Sequence, residues 1–422
     1  MRLFILTLPI MTFELITIAG QSLLLSYLMA GLVVAIFVQH KKGFQMFLPL
    51  EMKIYLIFII YCLIASLLFN PEGALALKNI NNLINHSMYF AFYLVFVNVI
   101  ANQKLKQIDF YADFLIMISV AAALLSLFQA VSPGNSIFFH FLRNSNSVFA
   151  AMMPSALHGG HAQWAGLNRV VGFAPEPSMW AAYLCIPLSL LLSRLINKIK
   201  IKELIGFIIL ILSFLLSYGR TGWLAFGCAI LYLPYFNVNK KHKNNYLIAV
   251  TVLVAALIVG SLVTSMDWSK VERIRGITNG WKMFLANPIF GVGAGGFLLN
   301  VDNFSLSVAE ATGGLVGSYA YNLFVKILAE TGIIGFMLWG WFMVTIWMKI
   351  CICVEKVRMN EKYFILCRGL AIAFISIIIS WMNIEGVNFM YIWFTFALIS
   401  AIYIKINNNA LSDEECPDQA GK

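Results

Sequence analysis

The sequence predicts an all-α membrane protein, a polytopic bundle of about twelve transmembrane helices with two larger extracytoplasmic loops. The first observation is composition, because 61% of the 422 residues are hydrophobic and 11% are charged, whereas soluble proteins have roughly 25% charged residues. The second is that apolar runs of about 17–25 residues, each long enough to cross a bilayer as a helix, recur along the chain. The weak alternation typical of a membrane β-barrel is not the pattern of this sequence.

The apolar runs predict a single transmembrane domain at 1–406, followed by a disordered cytoplasmic tail at 407–422. The long polar connections at about 132–177 and 265–331 are the loops in which we expect functional residues. In chain order, the apolar runs cover residues 3–19, 21–39, 53–69, 80–101, 109–131, 178–194, 203–218, 221–236, 246–264, 332–349, 363–380 and 388–405.

Lysine and arginine cluster in short connections between these runs, and such clusters mark the cytoplasmic side of a membrane protein. The clusters are Lys41, Lys42 and Lys53; Lys104 and Lys106; Arg194, Lys198, Lys200 and Lys202; Lys240, Lys241 and Lys243; and Lys356, Arg358 and Lys362. With the predicted number of spans, all of them fall on one side, which predicts that both termini are cytoplasmic. The net charge of +10 therefore follows from topology, and no nucleic-acid partner is expected.

Arg220 is the first candidate site residue, since it lies in a turn between two apolar runs, Ser217-Tyr218-Gly219-Arg220-Thr221-Gly222-Trp223. An arginine near a membrane is unfavourable unless its side chain reaches the interface or an anion. A guanidinium group binds phosphate oxygens in a bidentate manner and keeps its charge at any working pH. An interface anchor and an anion ligand are both open interpretations.

Glu176 is the second candidate, because Pro175 and Pro177 restrict the backbone on both sides of it. Ser178 is expected to cap the helix that follows. The segment can therefore be a rigid helix entry, or it can direct a carboxylate into a cavity with Arg169 as its partner or as an anion ligand.

The second long loop carries the cations Arg273, Arg275 and Lys282 before a glycine-rich run. Within that run, Gly291, Gly293 and Gly296 spell G-x-G-x-x-G, but a dinucleotide-binding fingerprint requires a strand before it and a helix after it in a cytosolic unit. We expect tight turns or close backbone approach here, with an amide nest for phosphate as the alternative.

The remaining candidates are ambiguous from local chemistry. Glu330 precedes an apolar run and is either a helix-end carboxylate or an acid–base group. The ring of Trp281 suits sugar stacking, but tryptophan is also the ordinary residue of the membrane interface, and that interpretation is preferred from local chemistry. His158 and His161 lack further ligands nearby, so no metal and no cofactor is predicted.

Taken together, these segments resemble the O-antigen polymerase and O-antigen ligase family of bacterial membrane glycosyltransferases. The segments that carry the resemblance are Arg169 and Phe173 with Glu176-Pro177-Ser178, the Arg220 turn, Trp281-Lys282-Met283-Phe284 with Asn287-Pro288-Ile289-Phe290-Gly291-Val292-Gly293, and Asn322-Leu323-Phe324 through Ala329-Glu330-Thr331-Gly332. Ligases of the family carry a histidine immediately before the asparagine, whereas this chain has Tyr321. Tyrosine has an unperturbed pKa of about 10 and is a poor general base, so the resemblance favours a polymerase.

The resemblance implies a GT-C-like fold in the bacterial cytoplasmic (inner) membrane, with the active site on the extracytoplasmic face. The implied reaction is metal-independent transfer of a glycan from undecaprenyl pyrophosphate to a second lipid-linked repeat unit. The alternatives are a ligase that transfers the glycan to lipid A-core or protein, and a flippase for the lipid-linked sugar. The lipid-linked glycan and membrane lipid are the implied partners, and a chain-length regulator protein is a further candidate partner.

The resemblance also assigns roles to residues. The implied catalytic residues are Arg220, Glu176 and Glu330, and the implied substrate-binding residues are Arg169, Arg273, Arg275, Lys282, Tyr321, Asn322 and Trp281. In this scheme Arg220, with Arg273 or Arg275, binds the donor pyrophosphate, and Arg169 contacts either phosphate or sugar. Glu176 is the first candidate for activating the acceptor hydroxyl, and Glu330 is the second.

Overall fold

The structure, a computed structural model, shows a helical bundle with two short antiparallel hairpins in the part of the chain that it describes. The described residues are 1–9, 14–18, 21–39, 45–69, 77–131, 163–164, 167–174, 176–236, 248, 268–304, 319–385 and 389–408. Seven helices within them are long and apolar enough to cross a membrane. The prediction of a polytopic helical membrane protein is therefore confirmed.

The elements are numbered in chain order. The helices are α1 (Arg2–Thr7), α2 (Leu25–Gln39), α3 (Leu50–Phe69), α4 (Leu77–Ala101), α5 (Leu105–Val131), α6 (Pro177–Asn197), α7 (Ile201–Leu216), α8 (Arg220–Ile230), α9 (Trp268–Ala286), α10 (Phe297–Phe304), α11 (Leu323–Lys356), α12 (Glu361–Ser380) and α13 (Met390–Asn407), with a 3-10 helix at Leu233–Phe236. The strands β1 (Glu14–Ile18) and β2 (Gln21–Leu24) form one hairpin, and β3 (Gln163–Trp164) and β4 (Leu167–Asn168) form the other.

The seven candidate spans are α3, α4, α5, α6, α11, α12 and α13, and each overlaps a predicted apolar run. Helices α7 and α8 also lie where spans are predicted, but their 16 and 11 residues are too few for the length of a span. The predicted span at 246–264 lies outside the described residues, apart from residue 248. The tail beyond residue 408 also lies outside them.

The predicted span at 3–19 is wrong, because α1 ends at Thr7 and residues Glu14–Ile18 of the same run form the strand β1. Ile16 and Ile18 in β1 are β-branched, and such residues favour extended backbone over helix. The described residues therefore support seven spans and not the predicted twelve.

Helices α6, α12 and α13 form the centre of the bundle, since most of each helix is buried, whereas about half of each of α3, α4 and α5 faces outward. Gly369 on α12 lies against α6, where an added Cβ would be 3.0 Å from the Leu190 Cα. Close packing of these long helices fixes their ends relative to one another, and the segments that precede and follow them form the candidate site.

A buried ion pair joins α3 to α11 at the end of the bundle remote from the α6 N-terminus. Lys349 Nζ lies 2.5 Å from Glu51 Oε2, and both side chains are almost fully buried. Tyr93 and Ser400 donate hydrogen bonds to Glu51 Oε1 at 3.2 and 2.7 Å. Because a buried charge is stable only when it is paired and hydrogen-bonded, this pair fixes the relative position of the two helices.

Candidate functional site

The segment before α6 packs against the turn that joins α7 to α8. Val170 donates its backbone N–H to the Leu216 carbonyl at 2.9 Å. Arg169 donates from Nε to the Ser217 carbonyl at 3.2 Å and from Nη2 to the Tyr218 carbonyl at 3.1 Å. Half-buried Arg169 is therefore fixed by backbone atoms of the turn that carries Arg220.

Two glycines allow that turn to lie directly on α6. A Cβ added at Gly219 or at Gly222 would be 2.5 Å from the Ala181 Cβ, so larger residues do not fit. Tyr218 adopts a positive φ of 49°, a conformation uncommon for residues other than glycine. The turn ends where Arg220 begins α8 with an exposed side chain, beside the N-terminus of α6.

Arg220, Arg273 and Glu176 each come within electrostatic range of Arg169 here. Burial lowers the pKa of Arg169, and the nearby Arg220 and Arg273 lower it further, while Glu176 acts in the opposite direction. Like charges raise the energy of one another unless an anion lies between them. The structure thus brings together four of the sequence-predicted site residues from separate segments; below we call Arg169, Arg220 and Arg273 the arginine group.

Glu176 is the N-cap residue of α6, and its side chain is exposed and makes no capping hydrogen bond. Pro177 occupies the first helical position, where its fixed φ and missing N–H are tolerated. The expectation that Ser178 caps this helix is wrong, because the helix begins one residue before it; Ser178 Oγ instead donates to Glu176 Oε2 at 3.0 Å. A solvent-accessible carboxylate therefore lies next to the arginine group.

Arg273 extends from α9 and contacts the segment after α12 and the ring of Tyr321. Its Nη1 donates to the Asn383 carbonyl at 3.2 Å, and its guanidinium carbon lies 5.6 Å from the centroid of the Tyr321 ring. The Tyr319 ring packs edge-on against Tyr321 at 6.0 Å. Gly276 permits α9 to pass this close, since a Cβ there would be 2.1 Å from the Tyr319 carbonyl oxygen.

Lys326 and Glu385 are site residues that the sequence reasoning missed. Lys326 Nζ lies 2.8 Å from Glu385 Oε2, and the Tyr321 N–H donates to Glu385 Oε1 at 2.8 Å. Burial raises the pKa of Tyr319, Glu385 and then Glu176 raise it further, and Lys326 opposes them. The sequence signal that could have identified them is that each is a charged residue just before a predicted apolar run, on the predicted outer side of the membrane.

Other predicted substrate-binding residues have different surroundings. Asn322 is the N-cap of α11, where its Oδ1 accepts from the Val325 N–H at 3.1 Å and its Nδ2 donates to the Met382 carbonyl at 3.0 Å. Both ends of its amide are therefore used by the local structure. Arg275 is half-buried on α9, two residues after Arg273.

Lys282 lies about 180° around α9 from Arg273, given the pitch of an α-helix. Its Nζ donates to the Phe304 carbonyl in α10 at 3.4 Å. Trp281 is exposed and packs beside Phe284, with 5.3 Å between ring centroids. The structure does not bring Lys282 to the arginine group.

The glycine-rich run docks on a break in α11. Gly332 interrupts that helix with φ 63° and ψ −167°, and Gly291 has φ 71°. A Cβ at Gly291 would lie 2.4 Å from the Glu330 carbonyl carbon, and one at Gly332 would lie 2.2 Å from the Ile289 carbonyl oxygen. The two segments are joined by hydrogen bonds of 2.9 Å from Val292 N to Ala329 O and from Ile333 N to Pro288 O. These glycines therefore serve close backbone approach, as expected.

Glu330 is buried beneath this run, 5% exposed. Its Oε1 accepts the Phe297 N–H at 3.3 Å, and Phe297 is the first residue of α10. A carboxylate at a helix N-terminus is stabilised by the unpaired amides and the helix dipole. Glu330 thus connects α11 to the N-terminus of α10, whereas Glu176 is exposed to solvent.

No cluster of three or more His, Cys, Asp or Glu suited to a metal ion occurs among the described residues. His158 and His161 lie outside them.

No curated protein matches this chain. Residues 205–340, less than half of the chain, match the family model described as O-antigen ligase. The matched interval begins in α7 and ends in α11, so it contains Arg220, Arg273 and Glu330, while Arg169, Glu176 and Glu385 flank it. Over residues 205–340, this membrane protein is therefore similar to the O-antigen ligase family, as its motifs predicted.

Proposed function

We propose that the protein is a membrane glycosyltransferase that polymerises an O-antigen-type polysaccharide. Its donor is a glycan on undecaprenyl pyrophosphate, and its acceptor is a second lipid-linked repeat unit. The observation that carries the proposal is the convergence of the arginine group with Glu176, in a chain whose matched segment contributes two of the three arginines.

The arginine group binds the donor pyrophosphate. The pKa of Arg169 is lowered mainly by burial and further by the two neighbouring arginines, so three guanidinium groups beside one carboxylate leave an unfavourable excess of positive charge. A pyrophosphate relieves it, because guanidinium groups donate paired hydrogen bonds to phosphate oxygens. The same contacts stabilise the charge that develops on the leaving group.

Transfer then proceeds by displacement at the anomeric carbon of the donor sugar. The acceptor hydroxyl oxygen forms the new glycosidic bond while the bond from that carbon to the pyrophosphate oxygen breaks. The hydroxyl proton passes to the Glu176 carboxylate, and the bonding electrons leave with undecaprenyl pyrophosphate. Glu176 is preferred to Glu330 as the base because it is exposed, whereas Glu330 is buried and accepts the Phe297 N–H.

The acceptor separates the proposed polymerase from the ligase alternative. Tyr321 stands where ligases carry histidine, and its ring packs against Arg273, so its surroundings fit an anion-site residue better than a base. The family match applies equally to both activities. Deletion of a polymerase leaves single repeat units on the surface lipid, whereas deletion of a ligase leaves long chains on the lipid carrier.

The orientation of the site is part of the proposal. We assign the arginine group to the extracytoplasmic face of the cytoplasmic membrane, with both termini cytoplasmic. In support, α6 and α11 both start at the site and both end near basic clusters, at Arg194 and Lys356. Labelling of the variants Tyr319→Cys and Lys198→Cys with a membrane-impermeant thiol reagent in intact cells tests this orientation. Reaction of Lys198→Cys without reaction of Tyr319→Cys contradicts it.

Reconstituted transfer tests the function. The full-length protein in proteoliposomes is supplied with undecaprenyl-pyrophosphate-linked repeat units, and the product ladder is followed over time. Arg220→Ala is expected to slow chain growth on the order of 10²-fold or more, and Arg220→Lys is expected to recover a part. Arg358→Ala is the matched control, since Arg358 is also exposed but lies at the other end of the bundle. Chain growth by Arg220→Ala at the wild-type rate would refute the assignment.

A further inference from the structure

Tyr321 and Tyr218 share a strained backbone conformation, and both touch the arginine group. They are the non-glycine residues with positive φ in the part of the chain that the structure describes, at 53° and 49°. The Tyr218 carbonyl accepts from Arg169, and the Tyr321 ring packs against Arg273. Such a conformation is disfavoured for a bulky residue and persists only where its surroundings hold it.

The segment 381–385 that follows α12 holds the Tyr321 corner. It accepts hydrogen bonds from three consecutive residues: Tyr321 N to Glu385 Oε1 at 2.8 Å, Asn322 Nδ2 to Met382 O at 3.0 Å, and Leu323 N to Trp381 O at 2.9 Å. The same segment also accepts from Arg273, at the Asn383 carbonyl. One short connection thus holds both the strained corner and a member of the arginine group.

Glu385 is the side chain at the centre of this arrangement. Its Oε1 is occupied by the Tyr321 amide and its Oε2 by Lys326, at 2.8 Å each. Its side chain is 17% exposed, and both of its oxygens are already paired. Lys326 balances a negative charge that would otherwise repel an anion bound nearby. These contacts suit a residue that orients its neighbours, in contrast to the exposed Glu176.

We propose that Glu385 is a positioning residue of the arginine group: it holds Tyr321 in its left-handed conformation, so that the Tyr321 ring and the Asn383 carbonyl together orient the Arg273 guanidinium. The inference rests on the proposed function, in which Arg273 binds the donor pyrophosphate.

The test uses the purified full-length protein in nanodiscs and compares Glu385→Ala, Glu385→Gln and the wild type. Glutamine keeps an oxygen that can accept the Tyr321 N–H, whereas alanine removes it. Glu203→Gln is the matched control, because Glu203 is also ion-paired and 17% exposed, but lies at the opposite end of α7 from the site. Two quantities are measured: amide hydrogen exchange of residues 319–325, and transfer rate together with affinity for undecaprenyl pyrophosphate.

Glu385→Ala is expected to speed exchange in 319–325 by about tenfold or more, the equivalent of one hydrogen bond to a charged group. It is expected to slow transfer on the order of 10²-fold, as misplacement of a catalytic group does, with a smaller loss of affinity. Glu385→Gln should restore much of both, and a residue with a purely structural role would not show this rescue of rate.

Unchanged exchange in Glu385→Ala overturns the inference, whatever the activity. Faster exchange with wild-type transfer and affinity also overturns it, since the corner would then not orient Arg273. If the wild type itself neither binds undecaprenyl pyrophosphate nor transfers glycan, the proposed function fails, and the positioning of Arg273 for that ligand fails with it.

Discussion

Gly332→Ala should strongly destabilise the protein, because Gly332 is where the glycine-rich run docks on the broken helix α11. Its φ of 63° and ψ of −167° lie in a region that is essentially restricted to glycine, and a side chain there costs about 1–3 kcal/mol. A Cβ would also lie 2.2 Å from the Ile289 carbonyl oxygen and 2.6 Å from the Phe290 nitrogen. These are backbone atoms, so the clash is not relieved by a side-chain rotation.

The docked segment must therefore move, and the hydrogen bond from Ile333 N to Pro288 O is lost with it. That bond adds about 0.5–1.5 kcal/mol to the loss, so the total is about 1.5–4.5 kcal/mol. Gly340→Ala in the same helix is the control, because nothing lies within 4 Å of its added Cβ. Alanine there should be neutral or stabilising by up to about 1 kcal/mol.

The assay is thermal unfolding of both variants, purified in the same detergent. The expected result is a clearly lower melting temperature for Gly332→Ala and an unchanged or higher one for Gly340→Ala. Equal melting temperatures would refute the reasoning, because they would mean that the glycine-rich run does not depend on a close backbone approach at Gly332.

The remaining predictions concern charged groups. Lys349→Met should destabilise the fold by about 3–5 kcal/mol by leaving Glu51 buried without its partner. The double variant with Glu51→Gln should recover much of this loss in the same unfolding assay, and wild-type stability of Lys349→Met would contradict the pairing. Glu176→Gln should slow transfer by about 10²–10⁴-fold, the range for a general base, at an unchanged melting temperature. Glu330→Gln should lower the melting temperature instead, because it weakens the Phe297 contact. If Glu330→Gln slowed transfer at an unchanged melting temperature and Glu176→Gln lowered the melting temperature, Glu330 would be the base and Glu176 the structural carboxylate.

Long apolar helices were predictable from sequence because hydropathy over about 20 residues reports membrane burial directly. The failure at 3–19 has the same origin, since hydropathy does not distinguish an apolar helix from the apolar strand β1. Helix α11 illustrates a different limit. Its predicted start at residue 332 is the position of the break, whereas the helix begins at Leu323, because the conformation of Gly332 depends on a tertiary contact with Ile289.

The candidate site was predictable where chemistry is local. Glu176 and Arg220 stand out as charges beside prolines or glycines that fix turns, and Arg169 is the cation that precedes Glu176 in the same segment. Glu385 and Lys326 do not stand out in this way, since they are 59 residues apart and meet only through the packing of α11 against the end of α12. Lys282 shows the converse, because a cation near Arg273 in sequence lies on the other side of the same helix.

The central claim is that the arginine group binds a polyprenyl pyrophosphate. The most direct test is the affinity of the full-length protein in nanodiscs for undecaprenyl pyrophosphate and for undecaprenol, in the wild type and in the triple variant Arg169→Gln, Arg220→Gln, Arg273→Gln. We predict that the wild type binds undecaprenyl pyrophosphate at least about tenfold more tightly than undecaprenol, as one or more charge-assisted hydrogen bonds imply. The triple variant is expected to show no such preference. Equal affinity of the wild type for both lipids, or a preference that survives loss of the three arginines, would contradict the account.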